Sequence, residues 1–302
     1  MLRMATDLPV WRSLLYVPVN VQRYVDRAHT RGADCIQLDL EDSVPAPEKA
    51  SARKLVPGAA RTVRKGGADV VVRINRPLSL AVPDIEAAVG PDIDGLAITK
   101  VESADHLRLL DDLVGERELA TGLSVGHTRF IAMIESPSAF FRMAEIARAS
   151  PRVVGMNLGG EDFALGCGME PNVETLLGPK QQMIFAARSA GVMPLGFIDS
   201  VASFGDWPAF RGMVRRSRQF GFMGASCIHP GQVTIVNEEY SPAPAEVAFA
   251  MRVVEASTKA DAAGRGSFAM DGKMVDAPIV QRAQQLLRRH AAIQARQSRT
   301  RD

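Results

Sequence analysis

RFIAMIESPSAFFRMAEIARASPRVVGMNLGGED, residues 129–162, decides the fold. Two apolar runs, RFIAMIE (129–135) and VVGMNLGGED (153–162), each end on acidic residues, and the helix-patterned PSAFFRMAEIARAS lies between them. Short continuous apolar runs suit strands buried on both faces, as a parallel sheet requires. The same alternation extends outward on both sides. RSLLYVP (12–18), DCIQLDLED (34–42), DVVVRIN (69–75) and GLAITK (95–100) come before; VMPLGFID (192–199) and ASCIHP (225–230) come after. Eight alternations of buried strand and helix predict an α/β chain built as a (β/α)8 TIM barrel over residues 1–230. Active sites of that fold gather at the strands' C-terminal ends, where Asp39, Glu41, Asp42, Arg73, Lys100, Glu135, Asp162, Asp199 and His229 fall. The pattern predicts an enzyme.

Beyond the barrel the pattern changes. SPAPAEVAFAMRVVEASTKADAAG reads as a capped helix ending at Gly264. SFAMDGKMVD holds two short runs joined by Asp271-Gly272, a two-residue hairpin signal, and Pro278 opens a final helix. This helix–hairpin–helix unit, residues 231–302, is too small to bury much core alone. It is expected to be a lid or oligomerisation extension packed on the barrel or on a neighbouring subunit.

Composition narrows the function classes. The 302 residues, 46% of them hydrophobic, fit one barrel with an addition. A net charge of +2 argues against nucleic acid or an anionic membrane as the main partner. No run approaches the roughly 18 apolar residues of a membrane span, and MLRMATDLPVW lacks the apolar stretch of a signal peptide. Cys35, Cys167 and Cys227 are odd in number, widely spaced and without a CxxC pair. They are expected to be buried small hydrophobes in a reducing, cytoplasmic compartment. The basic tail is expected to be a solvated helix end.

Glu135 and Asp162 end consecutive strands. Neighbouring strands lie about 4.8 Å apart, so the two carboxylates can converge on one ion. Few hard oxygen ligands, with room for waters, suit Mg2+, or Mn2+ as the alternative. Either acid alone reads better as a helix cap; together the metal reading is favoured. Gly159-Gly160 fits close backbone approach to a ligand, or a simple tight turn.

The acidic run Asp39-Leu-Glu-Asp crowds Asp39, Glu41 and Asp42 together, which demands cations or donors among them. These acids are read as orienting metal-bound waters, and Asp42 or Ser43 as also capping the PAPEKASARKL helix. Arg73, at the end of a Val-Val-Val strand, matches a carboxylate or an enolate oxygen; an ion pair with the acidic run is compatible with that role. Lys100 reads as an ion pair ahead of a Schiff base. His229 and Asp199 are expected only to line the site. Asn20 and Arg23 read as holding a cofactor phosphate at a helix start, or equally as solvated surface.

Together these motifs resemble the HpcH/HpaI aldolase–citrate lyase family, in its citrate lyase beta-chain-like branch. RSLLYVP, DLEDSV followed by Glu48-Lys49, VRIN, IES, GGED, FID, CIHP, VNEEY and DGKMVD span almost the whole chain in family order. The resemblance implies a (β/α)8 barrel assembling as a homotrimer or hexamer. It also implies a Mg2+-dependent Claisen-type cleavage of a 3-hydroxyacyl-CoA thioester, such as malyl-CoA or citramalyl-CoA, releasing glyoxylate or pyruvate. Glu135 and Asp162 would bind the metal, Glu135 and Arg73 would contact substrate, and Asp276 would act as acid/base from a neighbouring subunit's extension. Without the resemblance, Asp276 reads as a helix cap before Ala277-Pro278. The chain departs from the family pattern at Val19, Thr99, Ala225 and near Ala139. The rival functions are a citrate lyase beta chain acting on an acyl-carrier thioester, a CoA-independent pyruvate aldolase and a non-catalytic barrel. The KMVD extension argues against the aldolase, and retention of both ligand carboxylates against the non-catalytic barrel.

Overall fold

The computed structural model describes residues 8–199 and 205–299. Each of the eight apolar runs forms a strand: β1 Ser13–Pro18, β2 Cys35–Asp39, β3 Asp69–Ile74, β4 Gly95–Ile98, β5 Arg129–Ile134, β6 Val153–Leu158, β7 Met193–Leu195 and β8 Ala225–Cys227. All pair in parallel in the order β7-β6-β5-β4-β3-β2-β1-β8. The seam is a parallel bridge between Leu195 and Gly224, with Gly196 N–H donating to the Gly224 carbonyl at 2.8 Å. A Cβ on Gly224 would lie 1.9 Å from the Trp11 carbonyl oxygen, so only glycine lets the last strand meet the first.

Helices follow the strands: α1 Gln22–Ala28, α2 Lys49–Val63, α3 Leu78–Ala88, α4 Ala104–Ala120, α5 Pro137–Phe140, α6 Met143–Ala147, α7 Gly160–Cys167, α8 Val173–Ser189, α9 Trp207–Phe220 and α10 Pro230–Glu239. The helical segment between β5 and β6 is broken at Arg142 into the two short helices α5 and α6.

Side-chain parity along each strand sorts the core. Leu15, Val17, Ile36, Leu38, Val70, Val72 and Leu96 share a large buried cluster with apolar residues of the surrounding helices. The opposite parity, Leu14, Cys35, Val71, Ala97, Ile131 and Met133, forms a separate cluster capped by Trp11. Two residues further along the same faces come Tyr16, Arg73 and Glu135, and Asp39 lies four beyond Cys35. The period of two therefore carries the apolar plug directly into the polar site.

The chain divides into two compact units after Tyr240, which assigns α10 to the barrel unit, beyond the boundary expected at residue 230. The second unit holds α11 Pro244–Ala262, an antiparallel hairpin of β9 Phe268–Met270 and β10 Lys273–Val275, and α12 Ala277–Arg299. Asp271 (φ 50°) and Gly272 (φ 73°) supply the two positive φ values that a tight hairpin turn requires. Its own small core gathers Ala250, Val253, Val275 and Ala283.

Two local expectations are corrected. Cys167 is exposed, because it ends α7 on the solvent side; Cys35 and Cys227 are buried. Neither Asp42 nor Ser43 caps α2, which starts only at Lys49 after a 3-10 turn at Ala46–Glu48. The intervening loop is held instead by Asp39, whose carboxylate accepts the amides of Glu41 and Ser43. Among the described residues no helix is long and apolar enough to cross a membrane.

Candidate active site

Arg73 and Asp39 occupy paired positions on β3 and β2. The guanidinium donates from Nε to Asp39 Oδ1 and from Nη2 to Oδ2, both at 2.7 Å. Its remaining Nη1 reaches Glu41 Oε2 at 2.8 Å and Asp42 Oδ2 at 3.3 Å, and its Cζ lies 4.8 Å over the Tyr16 ring. Burial pushes the Asp39 carboxyl up, but the Arg73 hydrogen bonds and charge outweigh it and hold Asp39 below the usual carboxylate range. The acidic run thus converges on the arginine, and the planar fork is locked in one orientation.

Glu135 follows β5 and is 7% exposed. Its Oε2 accepts the Lys100 amide at 3.0 Å, and this contact uses Lys100 in a left-handed conformation (φ 49°) at the end of β4. Ser136, not Glu135, caps the following helix, accepting the Ala139 amide. Asp162 lies in the first turn of α7, so part of its helix-dipole role is realised alongside its place in the site. The Lys100 ammonium stands between the acids, 3.0 Å from Glu41 Oε1 and 3.8 Å from Asp162 Oδ2. Burial lowers the Lys100 ammonium's pKa, but the Glu41 hydrogen bond and the surrounding carboxylates raise it overall, so the residue is a charged ion-pair partner.

Glu135 behaves oppositely. Burial, then the charges of Glu41 and Asp162, push its carboxyl up to about 8. Glu41 is also raised, by burial first. Among the described residues no group of three His, Cys, Asp or Glu forms a ready-made metal cage. The donor set is two carboxylates whose joint ionisation a cation would favour, with the buried Asn157 Oδ1 lacking a hydrogen-bond partner in the same cavity. Such a set fits a hard divalent ion that keeps waters or substrate oxygens in its shell.

A cavity of about 250 Å³ collects these groups: Tyr16, Arg73, Glu135, Asn157, Asp162 and Lys180 are among its walls. A wider groove of about 660 Å³ shares Asp42 with it, and Glu41, Lys49, Asn75, Arg76 and Lys100 also line the groove. Asp199 lines the smaller cavity as expected.

Other expected residues are placed elsewhere. Asn20 donates to Glu48 Oε2 at 2.7 Å, and the exposed Arg23 lies against Tyr24; neither lines these two cavities. Helix α1 is two turns long, and at its start the Asn20 amide is engaged by the Glu48 carboxylate, a negative charge that opposes a phosphate there. His229 accepts the Gly231 amide on Nδ1 and caps α10, which is a structural task. Asp276 lies in the second unit, its carboxylate exposed and its carbonyl accepting the first amide bonds of α12.

Tyr16 and Lys180 were missed. Tyr16 was legible from parity with Leu14 on β1. Lys180 was not, because a lysine within a helix normally reads as solvated; here it is 6% exposed.

The model of the HpcH/HpaI aldolase/citrate lyase family matches residues 12–230. The chain belongs to that family. As a family member it is 37% identical over 283 residues to the citrate lyase subunit beta of Leuconostoc mesenteroides subsp. cremoris, covering 92% of each chain. A (3S)-malyl-CoA thioesterase of Cereibacter sphaeroides is 33% identical over 296 residues, covering 97% of this chain and 99% of that one. A crystal structure of the protein CitE from Mycobacterium tuberculosis, in complex with magnesium, acetoacetate and coenzyme A, is 26% identical. It covers 95% of this chain and 99% of its own, with a TM-score of 0.74. This HpcH/HpaI family member is an enzyme of the lyase class.

Proposed function

We propose that the chain is a Mg2+-dependent carbon–carbon lyase that cleaves a 3-hydroxyacyl-CoA thioester, such as malyl-CoA or citramalyl-CoA, by a retro-Claisen route. The observation that carries this reading is the convergence of Glu135, just after β5, and Asp162, in the first turn of the helix after β6, on one cavity that also presents the Arg73 fork. Mg2+, held by Glu135 and Asp162, would supply Lewis-acid polarisation of the forming carbonyl. Its presence in the related CitE structure supports the choice of ion; Mn2+ is the alternative.

Arg73 receives the thioester oxygen as negative charge moves onto it, an oxyanion role in which the Asp39 pairing holds the fork pre-aligned. Asp39, Glu41 and Asp42 would orient water or substrate oxygens if a cation were held by Glu135 and Asp162. Asp276, brought by the extension of a neighbouring subunit in a trimer or hexamer, protonates the enolate carbon. The adjoining groove offers the thioester arm room beside Lys49 and Arg76.

The test is a cleavage screen of malyl-, citramalyl- and related CoA esters with Mg2+, read by released keto acid. No keto acid from any ester overturns the reading. A second reading, a citrate lyase beta chain acting on an acyl-carrier thioester, is favoured by the 37% identity to the Leuconostoc subunit. Cleavage of free CoA esters by the isolated chain decides against it.

A further inference from the structure

We propose that Lys180 is a substrate-positioning residue whose ammonium binds a carboxylate of the acyl fragment, and so selects acyl groups that carry one. The inference rests on the lyase reading above and adds a residue to that site.

Lys180 extends from α8 into the wall of the 250 Å³ cavity that holds Glu135 and Asp162. It is 6% exposed, and its Nζ donates 2.9 Å to a main-chain oxygen, that of Asp199. Among the described residues no carboxylate lies within ion-pair distance of it. A buried ammonium bonded only to a carbonyl leaves most of its donor capacity unused, and such groups are rarely kept without a partner. Gly160 lies beside it: a Cβ there would make an ordinary 3.8 Å contact with Nζ and would crowd Leu176 Cδ1 at 2.9 Å.

The cavity's other basic walls contrast with this one. Arg73 is paired with Asp39, Glu41 and Asp42, and the one Nη2 hydrogen left over is the one assigned to the thioester oxygen. Lys100, at the edge of the neighbouring groove, is committed to Glu41 and Asp162. Lys180 shares the cavity wall with Asn157, whose buried Oδ1 has no hydrogen-bond partner. Burial pulls its ammonium down to about 8, with the Asp199 and Glu161 charges opposing. A bound carboxylate would secure its charged form.

The purely structural alternative is that Lys180 only tethers the Asp199 carbonyl. That role would alter stability and leave discrimination between ligands unchanged. The test uses the full chain with Mg2+ and the variants Lys180→Met, Lys180→Gln and Lys180→Arg, with thermal melts as folding controls. Inhibition constants are measured for glyoxylate, pyruvate and free CoA, together with KM and kcat for the thioester that is cleaved. The expected result is at least a tenfold rise in KM and in the keto-acid inhibition constants for the Met and Gln variants. The CoA constant stays unchanged, and the Arg variant recovers most of the loss. Unchanged keto-acid constants in any folded neutral variant overturn the proposal, as does an equal rise for CoA. If no neutral variant folds, failure of the folded Arg variant to bind keto acid better than free enzyme lacking Mg2+ overturns it. If the wild type cleaves no thioester, the lyase reading fails by itself; calorimetric titration of glyoxylate and pyruvate into wild type and Lys180→Met still decides the lysine's role.

Discussion

Gly159 makes room for Glu135: a Cβ at position 159 would lie 2.7 Å from Glu135 Cγ and 3.1 Å from Oε1. The glycine after β6 therefore sets where the β5 carboxylate stands, and the backbone of one strand end is shaped around the side chain of the next.

Gly159→Ala is expected to displace the Glu135 carboxylate while the barrel still folds. Overpacking of this kind costs about 1–3 kcal/mol, whereas a misplacement near 1 Å lowers rate about 100-fold. Steady-state kcat/KM beside a thermal melt checks it; full activity would mean that Glu135 has no such positional demand.

The raised carboxyl of Glu135 sets a pH dependence for the metal-free protein. A group with a folded-state pKa above its unfolded value stabilises fully below the unfolded pKa, and that contribution is lost as pH rises through the folded pKa. The melting temperature in chelator is expected to fall from about pH 4.5 to about 8, with Glu41 shifting in the same direction. Glu135→Gln should flatten the slope, and added Mg2+ should restore stability most at the alkaline end. Melting curves at a series of pH values, with and without Mg2+, measure both.

Asp39→Asn removes the charge that pairs with a largely buried Arg73 (side chains 3% and 12% exposed). Breaking a buried pair from one side costs about 3–5 kcal/mol, which a denaturant titration would register. Arg73→Lys keeps the charge but loses the two-pronged contact with Asp39, so kcat is expected to collapse with a smaller change in stability.

Asp276→Asn changes an exposed side chain, so stability should move by less than about 0.5 kcal/mol. Thioester cleavage is nonetheless expected to be lost, as with Glu135→Ala. Cleavage of every thioester by Asp276→Asn, where Glu135→Ala is inactive, would remove the acid/base assignment.

The barrel was legible because each strand is a continuous apolar run and each hairpin or cap signal is local. Glu135 and Arg73 were legible for the same reason, as polar residues at the ends of such runs, and Asp162 as an acid just past one, although it sits in the first turn of α7. The break between α5 and α6, the late start of α2 and the exposure of Cys167 were not, since each depends on what the segment packs against.

By itself the sequence determined the eight-strand order of polar and apolar residues, the positive-φ turn at Asp271-Gly272 and the family motifs, all of which are properties of neighbours along the chain. Tertiary structure alone decided which charges meet. Asp39 finds Arg73 through strand register, and Lys100 comes between Glu41 and Asp162 through barrel curvature. Lys180 reaches the cavity because α8, which connects β6 to β7, packs against both of those strands and turns its ammonium inward. Coulombic and desolvation energies depend on distance in space and on exclusion of water, and neither is written in the spacing of residues along the chain.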